Sequence, residues 1–379
     1  MPITVIHLSS VHERCDVRIF VKECAALLSA GYSVSLMVAD GMGAEVSNGI
    51  RIYDVGKPKS RLDRVFISSF KLFLKSLNSD ASVIHLHDPE LLPFGLLLKL
   101  FGKKVIFDAH EDVVLQLLNK PYLGQIQRRV LSILYKFVEF FICKHLSGIV
   151  AATPAIATKF EKLNPNVVTV CNYPSLTEFL AIRSSERVSN IVCYVGGISQ
   201  VRGMSGVLDA LGLTQSNAVL YLAGACLEPD FKIEIENNKA WHKVTYFGTV
   251  DRAGVVSIYE RASLGLVTLL PIPNYLEALP VKMFEYMAAG LPVIASNFPL
   301  WKRLISDTKC GICVDPEKPQ EIADAVDYLL SNPVEAQAMG KNGRKAVVDL
   351  YNWDNERPKL IAMYDSLTAE SNRPPLLGM

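Results

Sequence analysis

The sequence predicts an α/β protein of two Rossmann-like domains, each an open parallel sheet covered by helices, facing each other across a cleft. Three observations carry this expectation. The chain has 379 residues, beyond the size at which single hydrophobic cores stop growing. Hydrophobic residues make up 50% of it and charged residues 20%, a balance that fills cores and argues against disorder. Short apolar runs alternate with helix-like segments in two successive series, the pattern of parallel strands joined by helical crossovers.

The first series opens with a strand over 3–8, a polar loop, a helix over 17–29 stopped at Gly31, and a strand over 33–38. Apolar runs at 83–86 and 105–107 read as buried strands with a helix over 91–101 between them, and runs at 149–152 and 167–170 complete the set. Residues 172–189 lose periodicity and gain polar side chains, which marks them as a linker. Strands at 191–195, 218–223, 244–247, 264–269, 292–295 and 311–314 form the second series, and helices over 319–330, 335–349 and from Trp353 onward end the chain. The expected domains are 1–175 and 176–355, with 356–379 as a closing helix that crosses back to the first.

The net charge of +1 argues against a nucleic-acid binder that works through a strongly basic surface. The charge is unevenly placed: residues 1–175 hold 20 Lys+Arg against 15 Asp+Glu, and the rest hold 19 against 23. The eight cysteines are scattered, and the opening Met1-Pro2-Ile3-Thr4-Val5 has no charged leader, so a reducing cytoplasm is the expected home. Cys310-Gly-Ile-Cys313 is the one CxxC, read as a buried strand turn more readily than as a zinc or redox pair. No run approaches the 18 apolar residues of a membrane span. The first strand is not followed by GxGxxG, so a nicotinamide or flavin fingerprint is missing where it would be expected.

The chain is organised around 274–299, NYLEALPVKMFEYMAAGLPVIASNFP. Pro280 suits a helix start, Gly290 a helix stop, and the run after it a strand. The free N–H groups of Val281 and its neighbours, with Leu279 and Pro280 before them, form an anion-ready helix start. Glu277 precedes it, Lys282 lies in its first turn, and Glu285 follows one turn later. Two carboxylates beside a phosphate-binding helix start suit a ligand with both phosphates and hydroxyls, such as a sugar nucleotide. An i,i+3 pair between Lys282 and Glu285 is the alternative reading.

Ligands of open parallel sheets bind at the carboxyl ends of the strands. In the first domain that rule selects Ser9, Ser10, His87, Asp88, His110, Glu111 and Asp112. In the second it selects Gly196, Gly197 and Arg202, the turns at Gly224 and Thr249, and the stretch around Pro280. His110 suits substrate contact or proton transfer, or else caps the next helix. His87 reads equally as a site or a structural residue, with Asp88 as a helix cap. Arg18 reads as a ligand group or as a surface charge beside a capping Asp16. Arg202 is placed to reach a pyrophosphate bidentately.

These residues resemble the group 1 glycosyltransferases of family 4, which have the GT-B fold and build bacterial lipopolysaccharide, capsule and exopolysaccharide. The resemblance covers nearly the whole chain: CDVRIFVKECAALLSAGYSV, VIHLHDPELLPFGLLLKLFGKKVIFDAHE, YVGGISQVRGM, EALPVKMFEYMAAGLPVIAS, CGICVDPEKPQEIADAV and YNWDNERPKLIAMY. Glu277 and Glu285 match the family's paired glutamates. The resemblance implies that Glu285 binds the ribose, Glu277 the donor sugar, Arg202 the donor phosphates, and the start at Pro280 to Lys282 the distal phosphate. It also implies that His110 lies beside the donor sugar. Many relatives carry an arginine where this chain has Gly197, and Lys282 is expected to supply that charge.

The function so implied is retaining, metal-independent transfer of a hexose from a nucleoside diphosphate sugar to a hydroxyl of a lipid-linked saccharide. No cofactor is expected, and the donor is expected to be a UDP-sugar, although the residues do not separate uridine from guanosine. The partners implied are the sugar nucleotide, a polyprenyl-linked saccharide acceptor and an anionic membrane surface, with no nucleic acid. Lys99, Lys103, Lys104, Arg128, Arg129, Lys136 and Lys144 interleave with apolar positions over 96–144, which suits peripheral docking on the inner face of a membrane or an ordinary basic helix face. A GT-B sugar-nucleotide 2-epimerase and a catalytically inactive GT-B binding subunit remain the alternatives.

Overall fold

The computed structural model describes residues 2–119, 124–182 and 187–369. Its contacts divide them into two units, one from Met1–Asn172 with Asp354–Met379 and the other Tyr173–Trp353. Residues 183–186 of the expected linker and 370–379 of the closing segment lie outside the described residues.

The first unit is built on eight strands: β1 (Thr4–Leu8), β2 (Ser33–Val38), β3 (Glu45–Ser47), β4 (Ile50–Asp54), β5 (Val83–Leu86), β6 (Lys104–Ala109), β7 (Gly148–Ala151) and β8 (Val167–Thr169). Their order across the sheet is β3-β4-β2-β1-β5-β6-β7-β8, and every neighbouring pair is parallel except β3 with β4. The chain builds outward from β1 in both directions, so the sheet reverses its winding between β1 and β5, where an open α/β sheet leaves a crevice at the strand ends. The central strands β1, β2, β5, β6 and β7 are largely apolar and buried, as strands covered on both faces must be. Sequence periodicity missed β3 and β4, a short edge hairpin. Its signal was Asn48-Gly49, whose φ values of 49° and 80° supply the left-handed two-residue turn.

Helix 17–29 begins with wide π turns over Val17–Cys24 and continues as Ala25–Ser29. Asp16 caps it, accepting from the Arg18 and Ile19 amides. The closing helix, Trp353–Ala369, packs on the first unit from Asp354 on. Its Tyr364 is fully buried with its hydroxyl 2.8 Å from His85 Nδ1, and Glu356 accepts from the Cys171 amide.

The second unit has six parallel strands: β9 (Ile191–Val195), β10 (Val219–Ala223), β11 (Val244–Gly248), β12 (Leu264–Val267), β13 (Val293–Ser296) and β14 (Gly311–Val314). The order β11-β10-β9-β12-β13-β14 places its winding reversal between β9 and β12. Its core packs β9, β10, β12 and β13 against the helices Met204–Leu213 and Pro319–Ser331. Helix Val281–Ala288 begins after Pro280, ends at Gly290 with φ 70°, and buries Met283 through Ala288.

Candidate active site

In the second unit the winding reversal brings the turn after β9 next to the start of helix Val281–Ala288. The turn holds two close backbone approaches. Gly224 has φ 142°, and a Cβ there would stand 1.9 Å from the Gly196 carbonyl; Gly203 has φ 76°, and a Cβ there would stand 2.0 Å from the Thr268 carbonyl. Only glycine permits both, and the backbone of 196–203 is thereby drawn across the strand ends. Tyr194 donates to the Gly197 carbonyl at 3.0 Å, and the Val195 amide donates to the Tyr286 hydroxyl at 3.0 Å.

Lys282 enters this turn from the helix. Its Nζ lies 3.4 Å from the centre of the Tyr194 ring and would meet a Cβ on Gly196 at 3.3 Å. The residue as a whole is half-buried, yet the Nζ atom is buried and has no hydrogen-bond partner. Burial, and then the repulsion of nearby Arg202, pull its pKa well below the usual lysine range. Arg202, in the turn Gln200–Arg202, is half-buried, and its guanidinium makes one long bond of 3.4 Å to the Gly197 carbonyl. Two cations thus converge on a glycine turn, neither with a carboxylate partner among the described residues.

The alternative i,i+3 pairing of Lys282 with Glu285 does not form. Glu285, buried one helical turn further on, accepts from the Tyr259 hydroxyl at 2.8 Å and pairs with Arg252 Nη2 at 2.8 Å. Arg252 in turn binds Glu178 through its Nε at 2.8 Å. Each partner is better placed than Lys282, whose side chain turns to the opposite side towards Tyr194. Glu277 is exposed and takes no side-chain hydrogen bond or ion pair, while Trp301 Nε1 donates to the neighbouring Ala278 carbonyl at 2.8 Å and holds its loop. Leu279, Pro280 and Val281 are half-buried at the helix start, and Thr249 is exposed directly after β11. Gly197, Arg202 and Lys282 are therefore brought together, Glu285 is fixed nearby on the same helix, and Glu277 and Thr249 stand open.

The first unit gathers its titratable groups at the ends of β1, β5 and β6. His110 follows β6, and its Nε2 lies 2.9 Å from Asp108 Oδ2. The next helix is capped by Asp112, so His110 is not its cap. His87 bridges inward, with Nδ1 3.3 Å from His110 Nε2 and Nε2 2.8 Å from His7 Nδ1. Asp108 is fully buried; burial alone would raise its pKa, but Arg18 and then His110 hold it well below the usual range.

Two expectations need correction here. Arg18 is no surface charge: it is 4% exposed, donates to both oxygens of Asp108 at 2.9 and 2.7 Å, and bonds the Val170 carbonyl at 2.8 Å. Asp88 does not cap the helix after it, because its carboxylate faces the loop after β1. It accepts there from the Ser10 amide at 2.6 Å and the Ser9 hydroxyl at 2.9 Å, and it stands 3.1 Å from His12 Nδ1. Burial opposes its ionisation, but His12 and these donors bring Asp88 down to about 2.

Sequence reasoning did not reach Tyr194, Arg252, Tyr259 or Asp108. Arg252 and Tyr259 lie seven residues apart on helix Arg252–Arg261, a spacing that puts both on one face. Asp108 interrupts an apolar strand, and a carboxylate in such a strand demands a buried cation.

The two doubly wound α/β units, one with a cationic glycine turn beside a carboxylate-bearing helix, have the GT-B fold. The chain belongs to the group 1 glycosyltransferases of family 4: residues 179–346 match the model described as glycosyl transferases group 1, and residues 17–172 match that of glycosyltransferase family 4. A phosphatidyl-myo-inositol mannosyltransferase of Mycobacterium leprae is 23% identical over 304 residues, 78% of this chain and 76% of that one. An uncharacterized glycosyltransferase of Methanocaldococcus jannaschii is 28% identical over 177 residues, and there the match spans 46% of this chain and 44% of the relative, less than half its length. Among solved structures, sucrose-phosphate synthase from Thermosynechococcus elongatus has a TM-score of 0.79 at 19% identity, over 97% of this chain and 100% of that one. HepE of Anabaena, solved with UDP and glucose, has a TM-score of 0.72 at 13% identity over 96% and 100%. These likenesses show the fold.

Proposed function

We propose that this glycosyltransferase moves a hexose from a UDP-sugar to a hydroxyl of a polyprenyl-linked saccharide, with retention of configuration and without a catalytic metal, in surface polysaccharide assembly. The observation that carries the reading is the buried Lys282 Nζ, without a hydrogen-bond partner among the described residues, beside Gly196, Gly197 and Arg202. A buried cation without a counterion is costly, and a diphosphate removes that cost by accepting from it. HepE, which shares the fold, was solved with UDP, and this supports the uridine nucleotide.

In this reading Lys282, Arg202 and the amides at the start of helix Val281–Ala288 meet the charge that grows on the departing diphosphate, the role a metal would otherwise take. Arg252 and Tyr259 hold Glu285 ready to accept from the ribose hydroxyls. Glu277, open and unpaired, is assigned to the transferred sugar, Thr249 to the base side, and His110, oriented by Asp108, to the sugar at its reacting end. A surface of the first unit suits a lipid-linked acceptor. Helix Gln125–His145 exposes Ile126, Ile133, Phe137 and Phe141 between Arg129, Lys136 and Lys144, a pattern fit for the anionic inner face of a membrane. No helix among the described residues is long and apolar enough to cross one.

The test measures UDP release from UDP-hexoses by the full chain, with and without a polyprenyl-diphosphate saccharide in anionic or neutral vesicles. Release that requires acceptor and is faster on anionic vesicles is expected. Equal donor consumption without acceptor would identify an epimerase or hydrolase, and UDP binding without turnover would identify an inactive binding subunit.

A further inference from the structure

Beneath the strand ends, the first unit holds a second set of ligating side chains. His7 on β1, Glu23 on helix 17–29 and His85 on β5 have no exposed surface, and His87 is 2% exposed. Each can present one nitrogen or carboxylate oxygen to a common point, and these atoms lie within 4.8 Å of one another. His7 Nε2, His85 Nε2 and both Glu23 oxygens have no hydrogen-bond partner among the described residues. Interiors seldom leave such atoms unmatched, and here four belong to three residues of one cluster.

The opposite nitrogen of each histidine is engaged. His7 Nδ1 lies 2.8 Å from His87 Nε2, and His85 Nδ1 lies 2.8 Å from the Tyr364 hydroxyl. In metal-binding imidazoles one nitrogen is oriented by a neighbour and the other is left for the ion; His85 also brings its Nδ1 to 3.9 Å from Glu23 Oε2. Arg18 Nε stands 3.1 Å from Glu23 Oε1, but its N–H bonds to Asp108 at 2.9 Å, and the two-pronged Arg18–Asp108 pair consumes one charge of each sign. A Glu23 carboxylate would therefore share the single Arg18 cation with Asp108.

We propose that His7, Glu23 and His85 bind a structural Zn²⁺, with His87 and Tyr364 orienting the two imidazoles. Two imidazoles and a carboxylate are a zinc ligand set, and bonds of about 2.0–2.2 Å require the three side chains to draw together by roughly an ångström. The ion would tie β1, helix 17–29 and β5 together where Tyr364 of the closing helix meets them. The competing occupant is a proton: burial and then the neighbouring Asp108 push Glu23 well above the usual carboxylate range, and protonated Glu23 would donate to Asp108.

Metal analysis of the full chain, purified without a polyhistidine tag or chelator, is expected to find about one zinc per chain. X-ray absorption should show a shell of nitrogen and oxygen without sulfur, which separates this site from the thiols. After chelation the melting temperature should fall, and ZnCl₂ should restore it by about 5 °C. Glu23→Gln imitates the protonated side chain and His85→Asn removes one ligand; both should lose the zinc and its thermal shift. A zinc-free wild type with Glu23→Gln equally stable, a sulfur-bound zinc, or zinc retained in Glu23→Gln would each overturn the proposal.

Discussion

In the first unit the charged groups at the ends of β1, β5 and β6 are matched to one another, whereas in the second the cations beside Gly196 and Gly197 are not. Arg18 is joined to Asp108, His110 to Asp108, and Asp88 to His12 and the loop amides. Among the described residues Lys282 Nζ has no hydrogen-bond partner and Arg202 only a long bond to a carbonyl. Buried charge matched internally holds a fold together; buried charge left unmatched calls for a ligand of opposite sign. The same type of strand-end surface is thus mainly structural in one unit and, in our reading, the donor subsite in the other.

The largest effect that would sharpen this contrast is on Arg18. Replacing it by methionine leaves Asp108 and Glu23 facing each other without a cation, and should destabilise the first unit by about 3–5 kcal/mol. Calorimetry should show that unit melting on the order of 10 °C lower, and a melting temperature within about 2 °C of wild type would break the comparison.

Lys282→Met should do the reverse. Without ligand the variant is expected to melt at or above the wild-type temperature, because a buried polar group without a hydrogen-bond partner has been removed, while kcat/KM for the donor falls at least about tenfold, roughly 1.4 kcal/mol. The sign with pH follows from linkage. The folded pKa of Lys282 is depressed, so between that value and the unfolded value near 10.5 the unfolded chain binds more protons, and wild-type stability rises with pH through that window. A bound diphosphate favours the protonated amine. Calorimetry of UDP binding in buffers of different ionisation enthalpy should therefore register proton uptake in wild type and none in Lys282→Met. The smallest effect is local to the first unit: Asp16→Ala removes the cap on the Arg18 and Ile19 amides and should cost about 1 kcal/mol in a denaturant titration.

Most of the fold was legible because alternating apolar runs report directly on buried parallel strands. The edge hairpin at Asn48-Gly49 escaped because β3 is short and exposed, with no apolar periodicity to read. The placement of Gly197, Arg202, Lys282 and Glu285 was legible because they lie in or beside glycine- and proline-punctuated turns at strand ends, where spacing predicts position. Their partners were not found, because a hydrogen bond between Glu285 and Tyr259 or an ion pair between Arg18 and Asp108 joins positions 26 and 90 residues apart. Helix spacing permits the alternative Lys282–Glu285 pairing, but Arg252 and Tyr194 compete for the two side chains from other elements. Five of the seven histidines, His7, His12, His85, His87 and His110, lie at or beneath the strand ends of the first unit, yet no spacing rule links three different strands.

Tyr364 also bears on the order in which the chain matures on the ribosome. Its ring and hydroxyl complete the interior around His85, but it is synthesised only after the whole of Tyr173–Trp353. At about 5–20 residues per second, the first sheet waits on the order of ten seconds or more for the helix that seals it. During that interval its core is open to chaperones and to premature association, and the second unit is free to fold first although it is made second.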